Sequence, residues 1–207
     1  MPILDIQAFR RTTLNTAPFK HLVVKDFIAS GQADAALRDF PAIEHAGLLP
    51  VEATKPGPVI KGLVDELTRP ELTAAFSEKF GIDLTGRPTM ITIRGRAQER
   101  DGRIHTDSEA KLVTALLYFN KDWQDQGGRL RLLRSGTDLN DMITEVPPAL
   151  GTLVAFQRTH NSFHGHEPYV GVRRYIMINW MAGSLAAQRE LMRHRLSAQA
   201  KKLLNYA

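Results

Sequence analysis

Residues 111–132, KLVTALLYFNKDWQDQGGRLRL, contain two short apolar runs separated by polar residues and a Gly-Gly pair. Runs of this length bounded by turn residues are typical of β-strands. Similar runs recur through the second half of the chain and predict five strands, at 89–95, 111–119, 129–134, 151–157 and 173–181. Short strands that follow a helical start suit a jelly roll, so we expect a mainly β fold of this type.

The N-terminal part of the chain has a different pattern. A strand is predicted at 19–28 and a helix at 32–39, and apolar residues recur at helical spacing over 59–67. Pro70 is well placed to begin a further helix that continues to Phe80, because proline is favoured in the first turn of a helix. The sequence therefore predicts an N-terminal helical layer beside the β-rich body.

Apolar residues also recur near the end of the chain, where Leu185, Met192, Leu196 and Leu203 lie at near-helical spacing. This pattern predicts a C-terminal helix from Ser184 onward with an apolar stripe. The stripe would pack on the β-rich body or on a second subunit, so both a monomer and a homodimer remain open.

Length and composition indicate an ordinary globular protein. The 207 residues fit one domain, 1–207, with its β core at about 89–182. Apolar residues make up 43% of the chain and charged residues 24%, and no apolar run is long enough for a membrane span. The first residues lack the pattern of a signal peptide, so we expect a cytoplasmic protein without a membrane partner. The net charge is +5, but no nucleic-acid-binding motif accompanies it, and a solvated basic helix face explains the excess.

The sequence contains no cysteine, which excludes disulfides, iron–sulfur clusters and thiol nucleophiles. Any metal must therefore be bound by His, Asp or Glu. His105 and Asp107 are candidates, because a spacing of two places them on the same face of an extended segment. With a remote histidine they would form a 2-His-1-carboxylate triad, which leaves positions free for a bidentate 2-oxo acid and for oxygen. The alternative is a capping Asp beside a surface His.

Three histidines in the distal segment compete for the third ligand position, namely His160, His164 and His166. On a strand, His164 and His166 share one face, so spacing alone does not choose between them. His160 is expected to be a loop residue.

Arg174 lies in the last predicted strand and shares a face with Ile176, Ile178 and Trp180. An arginine on an otherwise apolar face requires a buried anionic partner. A dicarboxylate could supply that partner through a bidentate pair with the guanidinium. A structural salt bridge is the alternative, and it is the role expected for Arg173 on the opposite face.

The order of these motifs resembles that of prolyl-hydroxylase-type 2-oxoglutarate/iron(II) oxygenases. That family shows a His-x-Asp pair, a Tyr-x-Asn-x-x-Trp strand end, a Gly-Gly-x-Leu segment, and a distal His with a basic residue nine or ten positions later. All of these features occur in order between Ile91 and Met181, with the strand end at 118–123. The resemblance implies a double-stranded β-helix fold, Fe(II), and 2-oxoglutarate and O₂ as co-substrates. It also implies succinate and CO₂ as co-products and ascorbate as a candidate reductant.

The resemblance also assigns roles by position. His105, Asp107 and His164 match the iron ligands, and His164 is preferred to His166 because it stands ten residues before Arg174. Arg174 then matches the residue that binds the distal carboxylate of 2-oxoglutarate.

Tyr118 matches a tyrosine that hydrogen-bonds the co-substrate, with a core aromatic as an equal alternative. Arg94 and Arg96 share a strand face, and one of them could enter the barrel and contact the co-substrate or substrate, but a solvent-facing pair is preferred. Lys111 is open between the same alternatives, and His166 is expected to line the pocket or to support the metal ligands.

The expected function is hydroxylation of an aliphatic C–H bond in a small molecule or in a prolyl or peptidyl substrate. One rival is a non-catalytic metal-binding jelly roll that acts as a sensor or interaction module. Such a module needs no anchor for a dicarboxylate. A second rival is a zinc hydrolase with the same ligands, which would need a general base near the metal.

Overall fold

The computed structural model describes residues 1–185, 187–189 and 192, which contain nine strands and, before the first long strand, four α-helices. The helices are α1 (Ile6–Arg11), α2 (Ala33–Asp39), α3 (Pro58–Leu67) and α4 (Pro70–Phe80). The strands are β1 (His21–Val24), β2 (Leu49–Pro50), β3 (Thr89–Ala97), β4 (Lys111–Tyr118), β5 (Leu130–Leu133), β6 (Met142–Val146), β7 (Leu153–Gln157), β8 (His164–Gly165) and β9 (Gly171–Met181).

The strands form two sheets in which all strand pairs are antiparallel. The larger sheet has the order β1-β7-β4-β9-β3-β2, and the smaller one has the order β6-β5-β8. A bridge between His105 and His164 attaches the segment before β4 to the smaller sheet. Mainly antiparallel sheets with flanking helices are the architecture that the sequence predicted.

Both faces of the larger sheet are buried, and β9 shows this most clearly. Ile176, Ile178 and Trp180 pack on the helical layer, in the same core as α3 and α4. Tyr175 and Met177 point the other way, into a second core between the two sheets. Alternate residues of β9 therefore enter two different apolar cores.

The helical layer follows from local sequence. Pro58 and Pro70 stand in the first turns of α3 and α4, and Gly81 ends α4 in the left-handed conformation. Phe76 of α4 lies between two aromatic rings, with ring centroids 4.3 Å from Phe9 and 4.4 Å from Trp180. These contacts hold the helices on the larger sheet. No helix within the described residues has the length and apolar character needed to cross a membrane.

The predicted elements are found within a few residues of their expected bounds, apart from four omissions and the chain end. Helix α1 and the strands β2, β6 and β8 were not predicted, because all four are short. Residues 184, 185, 187–189 and 192 are helical. The remainder of the predicted C-terminal helix, including Leu196 and Leu203, lies outside the described residues.

A tight turn at 98–103 connects β3 to the segment that carries His105. Gly102 has a φ of +89°, and a Cβ there would lie 2.3 Å from Nδ1 of His166. The backbone N–H of His166 donates to the Gly102 carbonyl at 2.9 Å. Gly102 is therefore needed both for its backbone conformation and for the close approach of the 166 segment.

Gly102→Ala should lower the free energy of unfolding by about 2–4 kcal/mol, because strain at positive φ and a steric clash add together. Gly86→Ala is the matched control, since Gly86 also has a positive φ of +67° but no neighbouring atom within 4 Å of the point that a Cβ would occupy. Gly86→Ala should lower the free energy of unfolding by only about 1 kcal/mol. Urea unfolding of both variants provides the measurement, and equal losses would show that the close approach at Gly102 is unimportant.

Candidate active site

His105, Asp107 and His164 come together at one end of the space between the two sheets. One ligand atom from each lies within 4.8 Å of the others, so the three side chains could hold a metal ion. The backbone arranges this contact. His105 N–H donates to the His164 carbonyl at 3.0 Å, and His164 N–H donates back to the His105 carbonyl at 2.9 Å.

Both imidazoles have one nitrogen fixed by the backbone. Nδ1 of His105 lies 2.8 Å from the Arg103 carbonyl, and Nδ1 of His164 lies 3.0 Å from the Ser162 carbonyl. A carbonyl can only accept, so each Nδ1 carries the proton and each Nε2 has a free lone pair. Burial lowers the pKa of His164 to about 4, which keeps this ring neutral near pH 7. Neutral imidazoles of fixed tautomer are what metal coordination requires.

Both carboxylate oxygens of Asp107 accept hydrogen bonds. Lys111 Nζ donates to Oδ1 at 2.8 Å, and Thr114 Oγ1 donates to Oδ2 at 2.6 Å. The Asp107 and Lys111 side chains are only 9% and 8% exposed, so this ion pair is screened little by solvent. Burial alone would raise the pKa of Asp107, but the positive charge of Lys111 and these hydrogen bonds outweigh it and lower the pKa to about 2. Asp107 is therefore a carboxylate throughout the physiological range.

A cavity of about 600 Å³ opens beside the three side chains. Leu116, Leu130 and Met177 supply apolar wall, and Tyr175 lies between two basic side chains. The cavity is large enough for a small co-substrate together with part of a second molecule.

Arg173, and not Arg174, lies in the cavity wall, so the sequence-based assignment of Arg174 is not supported by the geometry. Arg173 is 2% exposed, and its guanidinium stacks over the rings of Tyr118 and Tyr175 at 5.6 and 5.3 Å. Arg174 does share a face with Trp180, as expected, but that face packs on the helical layer, where Arg174 lies 5.9 Å above the ring of Phe40. Because both faces of β9 are buried, apolar alternation could not tell which face lines the cavity.

Three buried donors in or near the cavity wall lack a partner among the described residues. They are Nη2 of Arg173, Nε of Arg94 and the hydroxyl of Tyr118, whose ring lies under the Arg173 guanidinium, whereas Arg173 Nε donates to the Gly128 carbonyl at 2.7 Å. Tyr118 is completely buried, and burial raises its pKa to about 12, so the hydroxyl keeps its proton. Adjacent unpaired donors of this kind fit a bound carboxylate. The prediction that Tyr118 lies beside the co-substrate is compatible with this placement.

The remaining candidates divide between cavity and surface. His166, Lys111 and Arg94 line the cavity, whereas Arg96 and the exposed His160 do not. The expectation that Arg94 faces solvent was wrong, because its side chain is only 12% exposed and forms an ion pair with Asp101. Burial and the nearby charge of Arg173 lower the pKa of His166 to about 4.

Sequence reasoning missed Thr114, which holds Asp107 and also lies 2.9 Å from Oδ1 of Asn179. The signal was present, since Thr114 alternates with Leu116 and Tyr118 on the strand face that enters the inter-sheet core.

Comparison with known proteins shows which family part of the chain resembles. Residues 95–182 match the model of the 2OG-Fe(II) oxygenase superfamily. This segment is therefore similar to that superfamily. The family uses Fe(II), 2-oxoglutarate and O₂, and the three candidate metal ligands lie inside the matched segment. No curated protein sequence matches this chain.

Solved structures share the fold of this chain. A Pseudomonas putida prolyl-4-hydroxylase aligns with a TM-score of 0.56 and 18% identity, over 80% of this chain and 87% of that one. A second structure is a prolyl hydroxylase from Trichoplax adhaerens in complex with a peptide fragment of the hypoxia inducible factor oxygen degradation domain. It aligns with a TM-score of 0.52 and 17% identity, over 83% of this chain and 86% of that one. A third is a viral collagen prolyl hydroxylase from Paramecium Bursaria Chlorella virus-1 in complex with 2-oxoglutarate. It aligns with a TM-score of 0.50 and 14% identity, over 79% of this chain and 96% of that one. At these identities the likeness establishes the fold alone.

The lowered pKa values of His164 and His166 predict acid sensitivity of the metal-free protein. An unfolded histidine titrates near pH 6.5, whereas both folded groups titrate at about 4, so the unfolded state binds more protons in this window. The free energy of unfolding is therefore highest above pH 6.5, where both histidines are neutral in either state. It falls as the pH is lowered to about 4, by up to about 3 kcal/mol for each histidine. Urea unfolding between pH 4 and 7 measures the slope. His166→Leu should make it shallower, and an unchanged slope would contradict the prediction for that residue.

Proposed function

We propose that this chain is an Fe(II)- and 2-oxoglutarate-dependent hydroxylase that acts on a prolyl residue, or a similar aliphatic C–H group, of a peptide. In this proposal His105, Asp107 and His164 hold the iron. The supporting observation is the cluster of these three ligands within 4.8 Å, in a cavity whose wall also contains the buried, partly unpaired Arg173. Bound iron, 2-oxoglutarate and O₂ would supply the oxidising chemistry, in which one oxygen atom enters the hydroxylated substrate and the other enters succinate, with release of CO₂.

The chain's own residues bind and orient the reactants. Arg173 and Tyr118 offer buried donors to the distal carboxylate of 2-oxoglutarate, and a planar guanidinium can present two parallel N–H groups to it. Lys111 and Thr114 keep Asp107 ionised and fix its orientation. The apolar wall excludes water from the reacting centre, which limits side reactions.

A peptide substrate is supported by the form of the cavity and by the related folds. The cavity reaches the protein surface, where the exposed Arg100 and Arg103 form its rim. One structure with the same fold was solved with a peptide fragment bound, and another is a collagen prolyl hydroxylase. An open cavity beside the proposed iron site would admit a chain segment as well as a free small molecule.

The first test concerns the metal ligands. Substitution of His105, Asp107 or His164 by alanine should each reduce Fe(II) binding strongly and abolish substrate-coupled turnover, because each change removes one of three ligands. His166→Ala and His160→Ala are the controls and should retain iron. Anaerobic equilibrium dialysis with iron quantification provides the measurement. Loss of iron in His166→Ala but not in His164→Ala would require the distal ligand to be reassigned.

The second test separates the two neighbouring arginines. Arg173→Ala should raise the dissociation constant of 2-oxoglutarate by about 30-fold or more, since loss of a buried charged partner costs roughly 2–5 kcal/mol. Arg173→Lys should be intermediate, because an ammonium keeps the charge but loses the fork. Arg174→Ala should leave the affinity nearly unchanged.

The measurement for this second test is anaerobic titration of Fe(II)-loaded protein, followed by the metal-to-ligand charge-transfer absorbance and by calorimetry. A loss of 2-oxoglutarate affinity in Arg174→Ala but not in Arg173→Ala would contradict the placement of Arg173 as the anchor. If the wild-type protein binds no 2-oxoglutarate in either assay, the hydroxylase proposal fails and a non-catalytic module becomes the better account.

A further inference from the structure

The turn at 98–103 separates two adjoining hollows on the open side of the active site. The cavity beside the iron ligands and a second hollow of about 440 Å³ share residues 100–103 and His166 as a common wall. The second hollow continues to Leu139 and Pro168 on its far side. A ligand seated in both hollows must therefore cross the turn.

The turn is held at several points, so the side chains it carries start from a fixed backbone. The Asp101 carboxylate pairs with the buried Arg94 and accepts the N–H of Gln98 at 2.9 Å. Gly102 accepts the N–H of His166 at 2.9 Å, and no side chain fits at position 102. A pre-organised backbone lowers the entropy cost of binding at the turn.

Arg100 and Arg103 flank the anchored Asp101 and are exposed. Neither forms an ion pair with an acidic residue in the described part of the chain. Nε and Nη2 of Arg100 donate to the side-chain oxygen of Gln98 at 2.7 and 3.2 Å, so Nη1 of Arg100 and the Arg103 guanidinium are the groups offered to an anionic ligand that crosses the turn.

The charge balance of the cavity points to the same ligand class. The charged side chains in its wall are Arg94, Arg100, Asp101, Arg103, Asp107, Lys111 and Arg173. The five basic groups exceed the two acidic ones by three positive charges. Fe(II) and the 2-oxoglutarate dianion carry opposite charges of equal size, so their binding leaves this surplus unchanged. In the second hollow Glu99 and Asp101 balance Arg100 and Arg103, so the surplus that favours a negatively charged substrate lies in the cavity beside the iron ligands.

We propose that Arg100 and Arg103 form a subsite for an acidic side chain of the peptide substrate, next to the residue that is oxidised. The inference rests on the proposed function and specifies its substrate class as an acidic peptide segment. Two hollows on either side of a turn suit an extended chain, which advances at most about 3.3–3.6 Å per residue, better than one free amino acid.

The experiment uses three pools of fluorescent heptapeptides with a central proline. The flanking positions are randomised over Asp and Glu in the first pool, over Ser, Asn and Gln in the second, and over Lys and Arg in the third. Binding to protein loaded with Fe(II) and 2-oxoglutarate is followed anaerobically by fluorescence anisotropy. The acidic pool should bind at least about 10-fold more tightly than the neutral pool, which corresponds to about 1.4 kcal/mol, and the basic pool should bind most weakly.

Charge reversal tests the two arginines directly. Arg100→Glu with Arg103→Glu should invert the order of the pools, and Arg100→Lys with Arg103→Lys should preserve it. Arg38→Glu with Arg69→Glu is the matched control. It changes the net charge equally at positions of the helical layer away from the cavity and should leave the order unchanged.

Equal affinity for the three pools, no binding of any pool, or an unchanged order in the charge-reversed variant would overturn the inference. Free aspartate and glutarate serve as competitors. Displacement of the acidic pool by either at equal concentration would identify a small carboxylate as the ligand and refute the peptide assignment. The charge-transfer titration in the same samples reports iron and 2-oxoglutarate binding separately, so failure of the proposed function is distinguishable from failure of this subsite.

Discussion

The reciprocal hydrogen bonds between the backbones of His105 and His164 are the contact on which the site depends. They join two segments that are far apart in the chain, at the open edge of the smaller sheet. The same segments use nearby carbonyl groups to fix the tautomers of both imidazoles. The bridge therefore sets the separation of the two rings, and the neighbouring carbonyl groups set the nitrogen that each ring presents. A fold that lost this bridge would keep its two apolar cores but would have no metal-binding cluster.

Charge burial is the second constraint, and the site satisfies it by pairing. Lys111 and Thr114 neutralise and hydrogen-bond Asp107, and Asp101 neutralises Arg94. Arg173 differs, because it is buried with no acidic partner among the described residues and retains an unbonded nitrogen. An isolated buried charge is costly, so its persistence in the cavity wall indicates that a ligand completes its environment. Asp107 and Arg94 are thus paired within the protein, whereas Arg173 is left for a ligand.

The larger sheet serves two functions at once because both of its faces are covered. The face toward α3 and α4 carries the aromatic packing around Phe76 and Trp180, which makes the sheet rigid. The face toward the smaller sheet carries Tyr118, Tyr175 and the cavity. Alternate side chains of one strand therefore stabilise the fold and line the site. Packing of the opposite face holds the strand in place and so fixes the position of the side chains that line the cavity.

The sequence by itself determined the fold class, the positions of most strands and helices, and the residue types of the metal cluster. Those features depend on local periodicity, on turn residues and on the spacing of two between His105 and Asp107, all of which are visible along the chain. Only the tertiary structure decided that Arg173 rather than Arg174 lines the cavity, that Arg94 also lines it and that Lys111 holds Asp107. Period-two alternation identifies which residues of β9 share a face, but it cannot say which face meets helices and which meets the second sheet. That choice is made by packing between elements distant in sequence, and so it is absent from any local pattern.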